Sequence, residues 1–180
     1  MTRSIHRAQA ADADALAHVQ AASWRAAFDG LLSAEYLAGL DIAALRTGWS
    51  ALLSEARWPR AGTLVLREAQ REDIVGYSRF YPSEDTDLDP ARVGEIGSMY
   101  TVPTVWRTGA GSLLMTAVLD ALATAGYSTA SLWVLEGNTS ARAFYRAQGW
   151  SPDGTRQITR GGPAEAVKLR YQRVVPRYHS

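Results

Sequence analysis

Cysteine is absent from this sequence, and histidine is rare. The absence of cysteine excludes disulfides, thiolate metal ligands and a cysteine nucleophile, so packing alone must hold the fold together. The histidines His6, His18 and His179 are scattered along the chain. They therefore predict neither a metal site nor a Ser-His-Asp triad.

Long apolar runs and clusters of one charge are also missing. No stretch approaches the length that crosses a bilayer, and the N-terminal residues lack the pattern of a signal peptide. The formal charge is only +1 at pH 7, and no group of basic residues stands out. We predict a cytoplasmic protein that binds neither nucleic acid nor a membrane.

What the sequence does contain is the composition of an ordinary globular domain. Apolar residues make up 47% of the 180 residues and charged residues 21%. A chain of this length can bury a sizeable core, and no linker or repeat divides it. We predict a single domain over residues 1–180.

Periodic patterns assign most of the chain to strands and helices. Strands are predicted at residues 4–8, 63–68, 74–81, 95–102 and 131–135. Helices are predicted after the N-cap residues Asp12, Ser33, Asp41 and Asn138. Two hairpins are predicted, one with a polar turn at residues 70–73 and one over residues 154–171 with a turn at residues 161–163.

An acidic loop follows the first hairpin, at residues 82–90. Loops of this composition are commonly solvated connections. Concentrated negative charge could instead draw in a cationic substrate. The sequence leaves both interpretations open.

A glycine turn at residues 106–112 lies between a predicted strand and a predicted helix. The helix has an apolar stripe at helical spacing, and Gly126 is placed where a C′ glycine ends a helix. The stripe consists of Leu113, Leu114, Ala117, Val118, Ala121, Leu122 and Ala125. Backbone N–H groups at such a helix N-terminus can bind a phosphate group.

Other interpretations of the glycine turn can be compared with the sequence. A Walker A loop needs a lysine after its last glycine, and the only lysine is Lys168. A dinucleotide-binding turn needs a third glycine where Leu114 stands, so a nucleotide-binding enzyme is disfavoured. The glycines could also serve only to let the helix and the strand pack closely.

Three segments together carry a family resemblance. They are Met-Tyr-Thr-Val-Pro at residues 99–103, Trp-Arg-Thr-Gly-Ala-Gly at residues 106–111, and Asn-Thr-Ser-Ala-Arg-Ala-Phe-Tyr at residues 138–145. In this order they resemble the GNAT superfamily of N-acetyltransferases. The resemblance implies an α/β fold, with a mixed, twisted sheet of about seven strands, helices on both faces and a splayed central strand pair. It also implies a bulge near Met99 to Thr101.

The resemblance further implies acetyl-CoA as cosubstrate. Backbone N–H groups of the glycine turn would bind its pyrophosphate, the strand edge would pair with the pantetheine arm, and N–H groups near Thr101 would stabilise the oxyanion. The implied contact residues are Met99, Tyr100, Thr101, Arg107, Thr108, Gly109, Ala110, Gly111, Ser112, Asn138 and Arg142. Trp106 replaces the usual Gln or Arg of the motif, but this replacement leaves the backbone donors in place.

Asn138 and Tyr145 are seven residues apart, which places them on one face of the same helix. From spacing alone, Asn138 could be only an N-cap and Tyr145 only a half-buried packing residue. The resemblance implies that Tyr145 is the general acid that protonates the departing thiolate. A phenol suits that role because its pKa near 10 keeps it protonated at neutral pH.

The general base is a separate question, because an amine is largely protonated at pH 7. Some relatives carry an acidic residue at the position of Trp133, which cannot accept a proton. Glu95 is the predicted base, acting directly or through water, and Glu136 is a second candidate. Glu95 could also be only a surface charge at a strand edge, and Glu136 only a solvated turn residue.

We therefore predict an enzyme that transfers an acetyl group from acetyl-CoA to a primary amine of a small molecule, peptide or protein, by direct attack in a ternary complex. Trp24, Phe28 and Tyr36 are predicted to lie near the acceptor, by analogy of architecture. A non-catalytic acyl-CoA-binding module is the rival hypothesis. The sequence is compatible with a monomer or a homodimer.

Overall fold

The computed structural model describes residues 2–68, 73–159 and 166–176. Its centre is one seven-stranded sheet with the strand order β1-β2-β3-β4-β5-β7-β6. The strands are β1 (Arg3–Arg7), β2 (Gly62–Glu68), β3 (Ile74–Pro82), β4 (Val93–Thr101), β5 (Thr129–Leu135), β6 (Ser151–Thr159) and β7 (Ala166–Val174). Neighbouring strands are antiparallel except for β4 and β5, which run parallel. The sheet is therefore mixed, as predicted.

Helices cover both faces of this sheet. They are α1 (Ala13–Ala27), α2 (Ala34–Ala38), α3 (Ile42–Ser54), α4 (Ala110–Thr124) and α5 (Thr139–Ala147). Of the stripe predicted for α4, Leu114, Val118, Leu122 and Ala125 are buried in one core, whereas Leu113 is 40% exposed and Met115, outside the predicted stripe, is buried. On the opposite face, Leu16 of α1 and Trp49 of α3 are buried in a second core. The predicted fold class is confirmed.

Three of the four predicted N-caps are made by side chains. The oxygen atoms of Ser33, Asp41 and Asn138 accept first-turn N–H groups of α2, α3 and α5. Asp12 is the N-cap residue of α1 as predicted, but its side chain makes no cap hydrogen bond, because its carboxylate accepts the N–H of Gln9 and pairs with Arg67 instead. An ion pair with a residue far along the chain has outcompeted the local cap.

Both predicted hairpins are present as antiparallel strand pairs, but only the strands can be compared with the prediction. Strands β2 and β3 pair as predicted, whereas the turns predicted at residues 70–73 and 161–163 lie wholly or largely outside the described residues. The closing hairpin begins at Ser151 rather than at Gly154. The register of β6 shifts between Pro152 and Arg156, and Gly154 in this irregular stretch has a φ of +91°. Glycine adopts that conformation without strain, so here it interrupts a strand instead of beginning one.

The parallel strands β4 and β5 separate partway along their length. Their pairing ends at Ile96 and Leu132, while β4 continues to pair with β3 as far as Thr101. Within the described part of the chain, no strand lies beside the edge of β4 that faces β5 after this point. The predicted splayed pair is confirmed, and it leaves backbone donors and acceptors free in a wedge between the strands.

The bulge in β4 lies at Gly97, so its predicted position near Met99 to Thr101 is wrong. Ser98 pairs with Arg79 and Ile96 with Phe80, which leaves Gly97 as the extra residue. A Cβ on Gly97 would lie 2.3 Å from the Tyr81 ring. The bulge therefore forms where the absence of a side chain gives that ring room.

Gly94 of β4 gives a test of how α4 packs on the sheet. A Cβ there would lie 2.4 Å from Leu122 Cδ2 and 2.8 Å from Tyr127 Cδ2. We expect Gly94→Ala to lower the free energy of unfolding by about 1–3 kcal/mol, because overpacking displaces buried groups. Denaturant unfolding measures this change.

The matched control is Gly48→Ala on α3, where a Cβ meets nothing within 4 Å. Alanine in an exposed helix interior should stabilise the protein by about 0.5–1 kcal/mol. Changes of the same sign in the two variants would contradict the packing argument.

Candidate active site

The glycine turn forms a concave backbone at the N-terminus of α4. Gly109 is the N-cap with a φ of +83°, and Arg107 is left-handed with a φ of +58° although it is not glycine. Within the described residues, the N–H groups of Arg107, Thr108 and Gly109 have no hydrogen-bond partner of good geometry. The next two N–H groups belong to the first helical turn, which has no acceptor of its own. Such a succession of backbone donors fits a phosphate group.

Three contacts hold this turn in shape. Thr108 Oγ1 donates to Val105 O at 2.6 Å, and Trp106 Nε1 donates to Thr101 O at 2.9 Å. Arg3 of β1 donates to Thr108 O at 3.0 Å. The motif departure at Trp106 therefore ties the turn to the end of β4. The supporting role of Arg3, distant in sequence, was not predicted.

The turn also packs against α5, so the two roles considered for its glycines coexist. A Cβ on Gly111 would lie 3.3 Å from the Phe144 ring. Gln148 Nε2 donates to Ser112 Oγ at 3.1 Å. Ala110 is buried at the start of α4. Close packing at Gly111 fixes the position of the backbone donors.

Tyr145 lies on α5 against the core of the splayed sheet. Its ring centroid is 6.2 Å from that of Trp150 and 6.4 Å from that of Tyr171. Burial raises the pKa of Tyr145 to about 12, so the phenol is protonated at neutral pH. Burial, and next the nearby Tyr145, raise the pKa of Tyr100 on β4 as well. The two phenols are therefore close enough for the charge of one to act on the other.

Asn138 and Arg142 are engaged in structural hydrogen bonds. Asn138 Oδ1 accepts the N–H of Ala141 at 3.1 Å, which is the N-cap of α5. Arg142 donates from Nη1 to Glu136 O at 2.8 Å and from Nε to Tyr171 Oη at 3.3 Å. Both residues fix the start of the helix that carries the predicted acid.

Two of the three residues predicted near the acceptor lie in an aromatic cluster around Tyr100. The ring of Tyr100 is 6.2 Å from Trp24 and 6.0 Å from Phe28, both on or next to α1. The indole N–H of Trp24 is buried and lies close enough to the Tyr100 hydroxyl to act on its pKa as a hydrogen-bond donor. Among the described residues, Tyr36 makes no ring contact with this cluster. Tyr100 therefore joins the wall of the cleft on the α1 face.

Alternate residues of β4 serve opposite faces of the sheet. Tyr100 pairs with Tyr77 and faces α1, whereas Met99 packs against the core beneath α4. Thr101 Cγ2 would lie 2.8 Å from a Cβ on Gly76, so its side chain lies on the β3 backbone. The backbone of residues 97–101, rather than these side chains, is what the split exposes.

Glu95 is buried on β4, on the same face as Tyr100, with 8% of its surface exposed. Its carboxylate accepts from Tyr81 Oη at 3.3 Å and from Ser83 Oγ at 3.4 Å. Burial, and next the negative charge of Asp85, raise the pKa of Glu95 above its ordinary value. The alternative of a surface charge at a strand edge is therefore wrong. A carboxylate with a raised pKa is a stronger base near neutral pH.

Glu136 lies in the turn after β5. It pairs with Arg156 at 3.1 Å, and 41% of its side chain is exposed. Its carbonyl accepts from Arg142 of α5 and its N–H donates to Val167 O of β7. This location fits the solvated turn residue that the sequence offered as an alternative.

A buried arginine that the sequence did not single out anchors the acidic loop. Arg170 of β7 is 3% exposed and binds the carboxylates of Asp85, Asp87 and Asp153 at 3.1, 2.6 and 2.6 Å. The loop is therefore neither a plain solvated connection nor a free patch of negative charge. The sequence showed only an arginine in the predicted closing hairpin and aspartates in the acidic loop, and nothing in it placed the two together.

The described residues show neither a membrane-spanning helix nor a cluster of metal ligands. No helix there is long and apolar enough to span a membrane. No group of three or more His, Cys, Asp or Glu side chains in that part of the chain has an arrangement that could hold a metal ion. The cytoplasmic location stays a prediction from the sequence.

The chain belongs to the acetyltransferase (GNAT) family, whose model matches residues 26–150. This match covers the splayed strands, the glycine turn and α5. The prediction of an acetyl-CoA-dependent N-acetyltransferase is therefore confirmed at the level of the family.

Relatives and solved structures agree with this assignment. An uncharacterised N-acetyltransferase of Mycobacterium tuberculosis is 31% identical over 160 residues, which are 86% of this chain and 92% of that protein. The PaiA N-acetyltransferase of Thermoplasma acidophilum, solved with coenzyme A, has a TM-score of 0.72 at 16% identity and covers 97% of this chain and 99% of its own. An acetyltransferase of Salmonella typhimurium, solved with acetyl-CoA, has a TM-score of 0.71 at 15% identity and covers 100% and 98%. At these identities the two structures show a shared fold.

Proposed function

We propose that this enzyme transfers the acetyl group of acetyl-CoA to a primary amine by direct attack, with both substrates bound at once. The observation that carries the proposal is the split between β4 and β5, which has a protonated phenol on one side and a buried carboxylate near its closed end. An acid and a base with different environments are what such a transfer needs. We also infer that residues 1–180 form one domain, since a single sheet takes strands from both ends of the chain.

The donor side of the cleft fits coenzyme A. The N–H groups from Arg107 to Ser112 would bind the pyrophosphate, with Gly109 and Ala110 at the centre of the turn. The free edge of β4 from Met99 to Thr101 would pair with the pantetheine arm as an added strand would. Its exposed N–H groups are also the candidates for the oxyanion donors. Asn138 and Arg142 would border the same side.

The chemistry then follows from two side chains. The amine nitrogen attacks the acetyl carbonyl carbon, and Glu95 takes the proton of that nitrogen, directly or through a water molecule. The carbon–sulfur bond breaks, and Tyr145 donates its phenolic proton to the departing sulfur. Solvent restores both groups. Because the sequence has no cysteine, no thiol is present to carry the acetyl group between the substrates.

The acceptor would enter on the α1 face, past Trp24, Phe28 and Tyr36. The first two rings stand around Tyr100, and Tyr36 on α2 is half-buried beyond them. An aromatic wall suits an acceptor with an apolar part next to its amine.

A turnover screen tests this function. The protein is incubated with acetyl-CoA and a panel of amino acids, aliphatic and aromatic amines, and peptide N-termini, and release of the CoA thiol is followed. We expect release with at least one amine, and intersecting lines in a plot of initial velocities against both substrates. Parallel lines would indicate a covalent acetyl-enzyme and would contradict direct attack.

The phosphate-binding role of the glycine turn has its own test. Gly109→Ala forces alanine into a left-handed conformation that costs about 1–2 kcal/mol, so the turn should rearrange. We expect the Kd for coenzyme A, measured by calorimetry, to rise about tenfold because backbone donors move out of line.

Gly126→Ala is the matched control. Gly126 ends the same helix with a φ of +86°, and neither glycine has an atom within 4 Å of an added Cβ. The two variants should lose similar stability, and only Gly109→Ala should weaken coenzyme A binding. Equal affinities in both variants would mean that the turn does not bind the pyrophosphate.

A further inference from the structure

Trp133 occupies the position on β5 where an acidic residue would face the acceptor side. The strand register places Trp133, Ser131 and Glu95 on one face of the sheet. Trp133 Nε1 donates to Asp85 Oδ2 at 3.2 Å. Arg170 Nη1 donates to the same oxygen at 3.1 Å. The acidic loop thus brings to this face a carboxylate that β5 itself does not supply.

Besides Asp85, Arg170 binds two other residues through its Nη atoms. Both Nη atoms donate to Asp87, at 2.7 and 2.6 Å, and Nη2 also donates to Thr155 Oγ1 at 3.0 Å. Its guanidinium lies 5.7 Å from the centre of the Trp133 ring. A buried guanidinium with several charge-assisted bonds is a rigid anchor, because releasing any partner leaves buried charge unpaired. The loop is therefore fixed against β5, β6 and β7 at once.

The groups around Glu95 come from several elements. Tyr81 of β3 donates to it, and Arg79 stacks on the Tyr81 ring at 4.3 Å. The acidic loop adds the Ser83 hydroxyl, which donates to Glu95 at 3.4 Å and accepts the N–H of Asp85 at 3.3 Å. The carboxylates of Asp85 and Glu84 also act on the charge of Glu95.

On the β5 side, the neighbour of Glu95 is Ser131, whose hydroxyl is buried without a partner. Arg170 is paired with three carboxylates, those of Asp85, Asp87 and Asp153. Carboxylates therefore outnumber guanidinium groups on this side of the cleft.

We propose that Asp85, fixed by Arg170 and Trp133 and joined to Glu95 through the Ser83 hydroxyl, is a positioning residue for the base Glu95. The proposal rests on the proposed function, in which Glu95 accepts the proton of the amine. The negative charge of Asp85 disfavours a second negative charge on Glu95, so protonated Glu95 is favoured. This agrees with the raised pKa of Glu95, for which burial is the largest cause and Asp85 the second.

The decisive comparison is Asp85→Asn against Asp87→Asn. Both residues bind Arg170, but only Asp85 adds to the raised pKa of Glu95. Removing a negative charge favours ionised Glu95, so its pKa must fall. In carbon-13 NMR of protein labelled at the glutamate carboxyl carbon, with the Glu95 signal assigned by Glu95→Gln, we expect the midpoint to fall by about 0.5–1 pH unit in Asp85→Asn. In Asp87→Asn it should stay within about 0.2 units of the unmodified protein.

In a second experiment, kcat/KM of the same proteins is measured against pH with acetyl-CoA and an amine that the turnover screen identifies. The acid limb of this profile should move to lower pH by the same amount in Asp85→Asn only. Trp133→Phe keeps a ring beneath Arg170 but removes the donor to Asp85, and it should shift both midpoints in the same direction by less. This second variant also keeps the test decisive if Asp85→Asn does not fold.

Three outcomes would overturn the proposal. The first is an equal shift in Asp85→Asn and Asp87→Asn, which would reflect only a loosened loop. The second is an unchanged Glu95 midpoint in both Asp85→Asn and Trp133→Phe. The third is an NMR shift without a shift of the kinetic limb. That third result would remove Glu95 as the base, whereas the first two leave the proposed reaction intact.

Discussion

We expect Tyr145→Phe to lower kcat by about 100-fold or more while the Kd for coenzyme A changes less than about twofold. The hydroxyl group is the only part removed, and phenylalanine keeps the packing against Trp150 and Tyr171. Burial keeps the hydroxyl protonated, since it raises the pKa of Tyr145 to about 12. Loss of this proton leaves the departing sulfur to carry its full negative charge. Steady-state kinetics and calorimetry measure the two quantities.

Tyr127→Phe is the matched control for that variant. Tyr127 is also a core tyrosine, but its hydroxyl donates to Arg60 O at 2.8 Å, far from the split. Its loss should cost about 1 kcal/mol of stability and leave kcat unchanged. Equal rates for Tyr145→Phe and the unmodified enzyme would remove Tyr145 from the mechanism.

The second large effect is expected from Glu95→Gln. At pH 7 the amine must lose a proton before it can attack, and glutamine cannot accept one. We expect kcat/KM to fall about 100-fold and the acid limb of its pH profile to disappear. Because the pKa of Glu95 is raised, that limb in the unmodified enzyme should lie above the ordinary glutamate value of about 4.3. Near pH 10, where an amine is partly neutral already, the difference between the two proteins should shrink.

Glu136→Gln separates the two candidate bases. Glu136 is paired with Arg156 at the surface, where an ion pair contributes about 0–1 kcal/mol. This variant should keep its acid limb and stay within about twofold of the unmodified kcat/KM. A larger loss in Glu136→Gln than in Glu95→Gln would move the base to the turn after β5.

Sequence reasoning succeeded where short-range physics decides the structure. The apolar stripe of α4 repeats every three or four residues within one short segment, and Gly126 ends that helix with a left-handed conformation. The caps at Ser33, Asp41 and Asn138 each join residues two or three positions apart. Such contacts form with little loop-closure entropy, so local sequence specifies them.

It failed where two distant segments compete for one group. The carboxylate of Asp12 binds Arg67, which is 55 residues away, instead of the N–H groups of its own helix. The bulge of β4 formed at Gly97 because the Tyr81 ring from β3 needs that space. Neither partner lies near these residues in the sequence, so the sequence predicted a cap hydrogen bond that Asp12 does not make and placed the bulge two residues too late.

Local sequence patterns were enough to predict the family, the order of strands and helices along the chain, and the backbone donors at the glycine turn. The burial of Glu95, the anchoring of the acidic loop by Arg170 and the hydrogen bond from Trp133 to Asp85 could be seen only in the folded chain. Arg170 and Asp85 are 85 residues apart and meet only because β5 and β7 are neighbours in the sheet. Burial and pairing of charges depend on such long-range contacts, and they set the protonation of the groups that would carry out the transfer.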